Sequence, residues 1–284
     1  MNKESLKTKA EILLSLHSNG RLLILPNIWD PIGARILEAK GFPAVATASS
    51  AVSASLGYED GEKIKLSTLL YMVGRIAKSV DVPVTADIES GYSETISGLQ
   101  DTIQQVIDTG IAGINIEDSI IEGSALRTID EQCERIAAIR NIFAKRDLHL
   151  VINARIDSFL SHIYQSWEER IEDVVIRAKA YAEAGADCVY PIGPGDIESI
   201  KILRNRIKSP VNILASANSA PLSVLQEIRI NRVSFGPFIF RSCMKKFVDI
   251  IESLHKMESY DCFGANMMSR AEQNIFLIGE HESD

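Results

Sequence analysis

The sequence predicts a (β/α)8 barrel, and three observations support this fold class. Eight short apolar runs rich in β-branched residues recur along the chain, and longer amphipathic stretches separate them. Glycines stand just past several predicted helix ends, where a left-handed backbone closes a helix. The length of 284 residues slightly exceeds the ~250 residues typical of this barrel. The alternative is a doubly wound open sheet, but residues 25–30, after the first strand, lack its glycine-rich phosphate loop.

Predicted strands and helices alternate from the N-terminus onward. The strands, short and apolar, are residues 22–26, 44–49, 82–88, 113–118, 150–157, 188–193, 211–216 and 232–237. The helices, with apolar residues three and four apart, include 65–79, 93–109, 129–145, 167–184, 197–206, 220–228 and 239–257. We assign residues 1–258 to the barrel domain. Residues 259–284 are predicted to be a C-terminal extension that forms either an additional helical segment packed on a partner subunit or a mobile tail, and the apolar stretch 274–279 favours the packing.

Composition and charge exclude several classes of protein. The chain is 46% hydrophobic and 24% charged, which is typical of globular domains and excludes intrinsic disorder. A net charge of −8 argues against nucleic acid or an anionic membrane as a partner. The N-terminus lacks the apolar stretch of a signal peptide, and no apolar run approaches the ~20 residues of a membrane span. The four scattered cysteines predict reduced thiols, so we expect a cytoplasmic protein.

Acidic side chains concentrate after the predicted strands, at the end where such barrels carry their active sites. Asp87 and Glu89 end the third strand, Glu117 ends the fourth, and Asp60 lies in the loop after the second. On an extended segment Asp87 and Glu89 would point the same way, roughly 6–7 Å apart. That spacing suits one direct metal ligand and one acting through water. Such oxygen ligands are typical of Mg²⁺ or Mn²⁺, and no histidine or cysteine set indicates zinc.

Several polar residues also have structural interpretations. Asp118 and Asp157 are predicted to cap the helices that follow their strands, and Glu59 and Glu62 to be solvated loop charges. Arg155 lies inside a strand pattern and must meet an anion, either in a structural salt bridge or on a substrate carboxylate. No serine or cysteine stands with a suitable histidine, so triad hydrolysis is not expected.

The order and spacing of these motifs resemble the isocitrate lyase/phosphoenolpyruvate mutase superfamily. The resemblance extends from about residue 22 to residue 240 and rests on the segments 25–30, 48–50, 56–60, 86–92, 115–118 and 153–155. It implies a (β/α)8 barrel that binds Mg²⁺ and an α-oxo acid or its enolate, and that makes or breaks C–C or P–C bonds. It also implies a C-terminal helix exchanged between subunits of a homodimer or homotetramer.

The resemblance assigns roles residue by residue. It implies that four carboxylates hold the metal ion, directly or through its waters, namely Asp87, Glu89, Asp60 and Glu117. The direct ligand among them is Asp87, and Glu89 replaces an aspartate that is common at its position. The residues implied in catalysis and substrate binding are Asp60, Glu117, Arg155, Ser49, Ser50 and Asn153. Of these, Arg155 neutralises the substrate carboxylate.

Residues 120–127 depart from the best-known members of the superfamily. Isocitrate and methylisocitrate lyases carry a Lys-Lys/Arg-Cys-Gly-His motif there and the mutases an asparagine, whereas this chain reads Ile-Ile-Glu-Gly-Ser-Ala-Leu-Arg. We therefore predict a Mg²⁺-dependent lyase or decarboxylase of an oxaloacetate-like α-oxo acid, because departing CO₂ needs no general acid. The alternatives are a phosphoenolpyruvate mutase or phosphonopyruvate hydrolase-type P–C enzyme, a methylisocitrate lyase-like enzyme, and a non-catalytic oxo-acid binder.

Overall fold

A computed structural model shows a closed barrel of parallel strands surrounded by helices. It describes residues 3–120, 125–257, 259–264 and 267–277. The described strands are β1 Leu23–Leu25, β2 Asn27–Ile28, β3 Val45–Thr47, β4 Val84–Asp87, β5 Gly113–Glu117, β6 Val151–Ile156, β7 Cys188–Pro191, β8 Asn212–Leu214 and β9 Arg232–Ser234. Pro26 divides the first barrel strand into β1 and β2, because proline has no N–H to donate to the ladder. The segments thus occupy eight strand positions.

The strand ladders close into a ring. From β2 to β7, each strand pairs with the next in parallel register. On the other side β1 pairs with β9, and β9 pairs with β8. A parallel bridge between Val189 and Val211 joins β7 to β8 and completes the circle. The predicted (β/α)8 barrel is confirmed, and the open doubly wound sheet is wrong.

Helices follow the strands around the outside of the barrel. The described helices are α1 Lys3–Leu16, α2 Pro31–Ala39, α3 Ser49–Ser55, α4 Leu66–Lys78, α5 Ile96–Asp108, α6 Ile129–Lys145, α7 Trp167–Ala184, α8 Ile197–Arg206, α9 Leu222–Glu227, α10 Phe238–His255 and α11 Arg270–Ile275. The bounds of α6, α7 and α8 equal the predicted ones, because Thr128, Ser166 and Asp196 cap their first turns. Gly110 and Gly185 take the expected left-handed conformation after α5 and α7.

Helix α1 closes the amino-terminal end of the barrel. It is not among the predicted helices. Its buried face consists only of Leu6, Ala10 and Leu13, and the lysines of its first turns make the apolar periodicity hard to recognise in the sequence. Leu13 lies so close to Gly113 that a Cβ at that glycine would be 2.9 Å from the leucine Cδ2. Glycine at the start of β5 therefore lets α1 pack closely against this end of the barrel. The opposite end of the barrel is not covered by α1.

Helix α10 leaves the barrel with most of its surface in solvent. In this helix, all of which the structure describes, only Phe240 is buried. Phe247 and Ile251 are 56% and 47% exposed. Within the predicted apolar stretch 274–279, Phe276 is buried, but residues 278 and 279 lie outside the described residues, as does residue 258 at the predicted domain boundary. No helix in the described ranges is long and apolar enough to cross a membrane.

Candidate active site

A cavity of about 170 Å³ opens at the carboxyl ends of the strands. Its polar lining comes from successive strand ends around the ring and includes Asn27, Ser49, Ser50, Asp60, Asp87, Asn115 and Arg155. Active sites of (β/α)8 barrels lie at this end, because loops after several strands converge there. A larger cavity of about 490 Å³ lies at the opposite end, between α1 and the loops that precede the strands. We place the site in the smaller cavity.

Asp87, the last residue of β4, is held by the neighbouring strand and helix. Its Oδ2 accepts hydrogen bonds from the Ser49 hydroxyl at 2.8 Å and from the Ser49 backbone N–H at 3.3 Å. Its own backbone N–H donates to Thr47 Oγ1 at 3.0 Å. Asp60 lines the same cavity from the loop after α3, and burial of its carboxyl group together with the charge of Asp87 raises the pKa of Asp60. Two of the four predicted metal carboxylates thus face the cavity together.

Glu89 lies in a tight turn. Its φ is 54°, that of Tyr92 is 57°, and Gly91 N–H donates to Ile88 O at 2.9 Å. The prediction that Asp87 and Glu89 share one extended segment is therefore wrong, because the chain turns directly after β4. Instead, Glu89 N–H donates to Asp87 Oδ1 at 3.3 Å. The turn keeps Glu89 beside Asp87 but buried behind the cavity wall.

Glu62 holds this turn in place. Its backbone N–H donates to Glu89 Oε2, while its Oε1 accepts hydrogen bonds from Ser90 Oγ at 2.7 Å and Tyr92 N–H at 2.8 Å. The prediction that Glu62 is a solvated loop charge is wrong, whereas Glu59 is exposed as expected. The sequence signal for Glu62 is weak, since it consists only of its place two residues after Asp60.

Arg155 bridges two carboxylates at the end of β6. Its Nη1 is 2.6 Å from Glu117 Oε2, and its Nε donates to Asp157 Oδ1 at 2.7 Å. Burial lowers the pKa of Arg155, but the charges of Glu117 and Asp157 outweigh burial and raise it well above its usual value. Nη2 has no hydrogen-bond partner among the described residues, and Arg155 lines the cavity. The arginine therefore forms the structural salt bridge and still offers a donor to a ligand.

Asp118 and Asp157 do not cap the helices that follow their strands. Helices α6 and α7 begin at other capping residues, so the predicted caps are wrong. Asp118 is fully buried, where its carboxylate accepts hydrogen bonds from Arg177 Nη1 at 3.1 Å, Tyr181 O–H at 2.8 Å and Asp157 N–H at 2.9 Å. This network joins α7 to the ends of β5 and β6 and so fixes the segment that carries Arg155.

Asn153 does not reach the cavity. It is fully buried on β6, two residues before Arg155, and its Nδ2 donates to Asn115 Oδ1 at 2.8 Å. Arg232 Nη2 donates to the same oxygen at 3.3 Å. The predicted substrate role of Asn153 is therefore corrected to that of a support for Asn115, which lines the cavity. Sequence reasoning missed Asn115 as a site residue, although it precedes Glu117 by two residues on the same strand.

The donor set fits a divalent cation that keeps part of its water. Within the described residues, no three histidine, cysteine, aspartate or glutamate side chains lie close enough to hold an ion directly. Asp87 and Asp60 face the cavity, and Glu89 and Glu117 lie behind it. Burial, then the charges of Asp87 and Asp60, raise the pKa of Glu89 to about 8. A cation would relieve this repulsion, and carboxylates with retained water are the ligands that Mg²⁺ prefers.

Binding of Mg²⁺ is expected to release protons near neutral pH. Because Glu89 is protonated below about pH 8 without a cation, the cation and the proton compete. The Mg²⁺ affinity should rise by up to about tenfold per pH unit between pH 6 and 8, and level off above. Calorimetry at pH 7 in two buffers of different ionisation enthalpy measures the released protons. Glu89→Gln should flatten the pH dependence, and an affinity independent of pH in the unaltered protein would contradict this reading.

Comparison with known proteins places the chain in a family. The family model described as phosphoenolpyruvate phosphomutase matches residues 13–255. The chain belongs to this family. The resemblance to the isocitrate lyase/phosphoenolpyruvate mutase superfamily is thereby confirmed, and the protein is a metal-dependent lyase of that type.

Relatives within the family differ in their reactions. A 2-methylisocitrate lyase of Aeropyrum pernix is 27% identical across 99% of this chain and 90% of its own length. An oxaloacetate decarboxylase of Paraburkholderia xenovorans is 29% identical across 80% of this chain and 76% of its own. The solved structure of phosphonopyruvate hydrolase with oxalate and Mg²⁺ has the same fold, with a TM-score of 0.82 at 22% identity over 94% of each chain. Members of the family cleave C–C or P–C bonds. Which of these bonds a given member cleaves depends on the residues of its active site.

Proposed function

We propose that this protein is a Mg²⁺-dependent lyase that decarboxylates a small α-oxo acid resembling oxaloacetate. The observation that carries the proposal is one small cavity lined both by Asp87, which Ser49 holds in place, and by Arg155, whose Nη2 has no hydrogen-bond partner within the described ranges. Its volume of about 170 Å³ is below the roughly 300–1,000 Å³ of drug-sized sites and favours a ligand of few carbons. The related decarboxylase supports the same substrate class.

The lining of the cavity also favours decarboxylation. No histidine or cysteine side chain among the described residues lines it. Residues 121–124, within the segment where other members carry their acid/base cysteine, lie outside the described residues. Loss of CO₂ breaks the C3–C4 bond and leaves its electron pair in the enolate, so no acid must protonate the leaving group. Water then supplies the proton that C3 gains.

In the proposed site, the carboxylates around the cavity would bind the metal ion and the arginine would bind the substrate. Asp87 would hold Mg²⁺ directly, and Asp60, Glu89 and Glu117 would hold its waters. When bound, the ion supplies a Lewis acid that stabilises the enolate. Arg155 binds and orients the carboxylate next to the carbonyl through Nη2.

Asn115 is the second donor in this arrangement. Its Oδ1 is fixed by Asn153 and Arg232, whereas its Nδ2 has no hydrogen-bond partner among the described residues. Because Asn115 also lines the cavity, that N–H is available to the oxygen on which negative charge develops. Ser49 keeps the carboxylate of Asp87 in place by its two hydrogen bonds.

A panel of four compounds tests the proposal. Release of pyruvate or phosphate is followed with saturating Mg²⁺ from oxaloacetate, methylisocitrate, phosphonopyruvate and phosphoenolpyruvate. The Asp87→Asn protein measures the background reaction of oxaloacetate with free metal. We expect pyruvate from oxaloacetate to be the fastest release. Phosphate release from phosphonopyruvate, or its isomerisation to phosphoenolpyruvate followed by ³¹P NMR, would select the P–C alternative. Faster turnover of methylisocitrate would select the lyase alternative. Binding of oxalate without turnover or isomerisation of any compound would select the non-catalytic binder.

We also propose that the chain forms a homodimer or homotetramer in the cytoplasm. The exposed apolar side chains of α10, including Phe247 and Ile251, support the assembly, because they would be buried by a second copy. The free thiols of Cys133, Cys188 and Cys243 support a reducing compartment. Light scattering should give at least twice the chain mass of 31.3 kDa. Phe247→Glu should reduce that mass, and a monomer at micromolar concentration would contradict the assembly.

A further inference from the structure

Polar side chains fill part of the barrel interior next to the candidate active site. The interior of such barrels is normally packed with branched aliphatic residues. In this chain, hydrogen bonds across the interior join five buried polar side chains on β5, β6, β8 and β9, namely Asn115, Asn153, Asn212, Arg232 and Ser234. Of the five, Asn115 lines the cavity. Because burial of polar groups is costly, this departure from an aliphatic interior indicates a role in the site.

Arg232 carries a charge that no carboxylate pairs with among the described residues. Its side chain is fully buried, and burial lowers its pKa. Strand β9 lies four positions from β5 around the ring, so the guanidinium crosses the interior to donate from Nη2 to Asn115 Oδ1 at 3.3 Å. Its Nε donates to Ser234 Oγ at 3.3 Å, and its Nη1 has no partner in the same part of the chain.

The pair of asparagines beside Arg232 does not define its own orientation. Asn153 Nδ2 donates to Asn115 Oδ1 at 2.8 Å, while Asn153 Oδ1 has no partner within the described ranges. Turning both amides over would exchange donor and acceptor and keep a hydrogen bond between them. A guanidinium carries donors only, so Arg232 fixes the amide oxygen of Asn115 toward the interior. The Nδ2 of Asn115 then faces the cavity.

We propose that Arg232 is a positioning residue that makes Asn115 present its N–H group, rather than its amide oxygen, to the substrate. The inference rests on the proposed function and deepens it, since it concerns the donor to the oxygen on which negative charge develops. Arg232 also strengthens that donor, because a hydrogen bond from a charged group polarises the amide that accepts it. Arg232 does not line the cavity itself, so its effect reaches the substrate through Asn115.

Steady-state kinetics of the Arg232 variants provide the first test. Arg232→Met should lower kcat about tenfold and change KM less than twofold, because the Asn115 N–H acts on charge that develops in the transition state. Arg232→Lys can also only donate hydrogen bonds, so it keeps the orientation of Asn115 and should recover part of kcat.

A double-mutant cycle shows whether Arg232 acts through Asn115. Asn115→Ala alone should lower kcat about 100-fold. Adding Arg232→Met to it should lower kcat less than twofold further, whereas two independent residues would multiply their effects. Calorimetry with oxalate in saturating Mg²⁺ gives the same cycle without turnover, because oxalate carries negative charge where the enolate of an oxo acid does. Arg232→Met should weaken oxalate binding about tenfold in the unaltered background and less than twofold with Asn115→Ala.

Thermal melting separates this role from a structural one. Arg232→Met leaves each partner with another hydrogen bond, since Asn153 still donates to Asn115 and Asn212 still donates to Ser234. The substitution also removes an unpaired buried charge. The melting temperature of Arg232→Met should therefore not fall, although its kcat does.

Arg204 on α8 provides the matched control. Its Nη1 donates to the backbone oxygens of Ile207 at 2.8 Å and Ser209 at 3.1 Å, it has no carboxylate partner among the described residues, and it does not line the candidate site. Arg204→Met leaves both carbonyl groups without this donor and should lower the melting temperature with kcat unchanged. The two arginines should thus respond to the same substitution in opposite ways.

The results that would overturn the assignment are distinguishable from failure of the proposed function. If Arg232→Met leaves kcat and oxalate binding within twofold, or if its effect multiplies with that of Asn115→Ala, Arg232 does not position Asn115, although the oxo-acid site stands. A fall in melting temperature like that of Arg204→Met would restrict Arg232 to the fold. If the unaltered protein binds no oxalate in the presence of Mg²⁺, the proposed function fails and the role of Arg232 fails with it.

Discussion

Replacing Asp87 with asparagine is expected to lower Mg²⁺-dependent turnover of the preferred oxo acid by at least about 1,000-fold. Asp87 is the carboxylate that the structure anchors most firmly at the cavity, through Ser49 and Thr47. Loss of its charge would weaken the proposed direct ligand of Mg²⁺, and a metal ion contributes several kcal/mol to transition-state stabilisation. Initial rates across a Mg²⁺ titration measure the effect. Asparagine keeps the shape of the side chain, so the fold should be retained.

Two further variants serve as a control and a comparison for Asp87→Asn. Asp101→Asn makes the same chemical change at an exposed position of α5 and should leave turnover unaltered. Asp60→Asn, at the rim of the cavity, should cost about 10- to 100-fold, as expected for a residue that holds the ion through water. Turnover by Asp87→Asn within tenfold of the unaltered protein would show that Asp87 is not the direct ligand.

Replacing Arg155 with lysine is expected to lower kcat/KM about 100-fold while the protein stays folded. Lysine preserves the positive charge that Glu117 and Asp157 need, so no buried carboxylate is left unpaired. It cannot reproduce the planar guanidinium, which contacts both carboxylates and still presents Nη2 to a ligand. Loss of one well-placed donor at a reacting centre costs about 100- to 1,000-fold. Steady-state kinetics and thermal melting measure the two effects separately.

An arginine on the protein surface provides the control for this substitution. Arg206 forms two hydrogen bonds of 2.7 Å with Glu172, and both side chains are exposed. Arg206→Lys also breaks a two-point arginine–carboxylate contact, but far from the cavity, and should change neither kinetics nor melting temperature appreciably. A full retention of kcat/KM by Arg155→Lys would restrict Arg155 to its structural salt bridges.

The barrel was predictable because its signals lie within short stretches of chain. These signals are the periodic spacing of apolar residues in strands and helices and the capping residues at helix starts. The exact starts of α6 and α7 come from capping boxes at Thr128 and Ser166, which are visible in sequence. Helix α1 was missed because its role depends on a distant glycine, Gly113, that lets it close the barrel. The reason for its apolar face becomes clear only in the folded barrel, where α1 covers the amino-terminal ends of the strands.

The candidate site was predictable where residues stand at strand ends. Asp87 and Arg155 fall there, and the structure brings both to one cavity. The turn at Glu89 was missed, because a left-handed φ at a residue other than glycine leaves no mark in the sequence. Glu62 was missed for a different reason, since its hydrogen bonds join a loop to the turn after β4, and the two meet only in the folded protein.

Calorimetry with oxalate distinguishes a Mg²⁺-dependent oxo-acid site at Asp87 and Arg155, as proposed, from a cavity without that function. The unaltered protein is titrated with oxalate in the presence of Mg²⁺ and again after removal of metal with EDTA. We expect saturable binding of one oxalate per chain with Mg²⁺ and a loss of affinity of at least about 100-fold without it. Oxalate binding of equal strength under both conditions, or no binding under either, would contradict the claim.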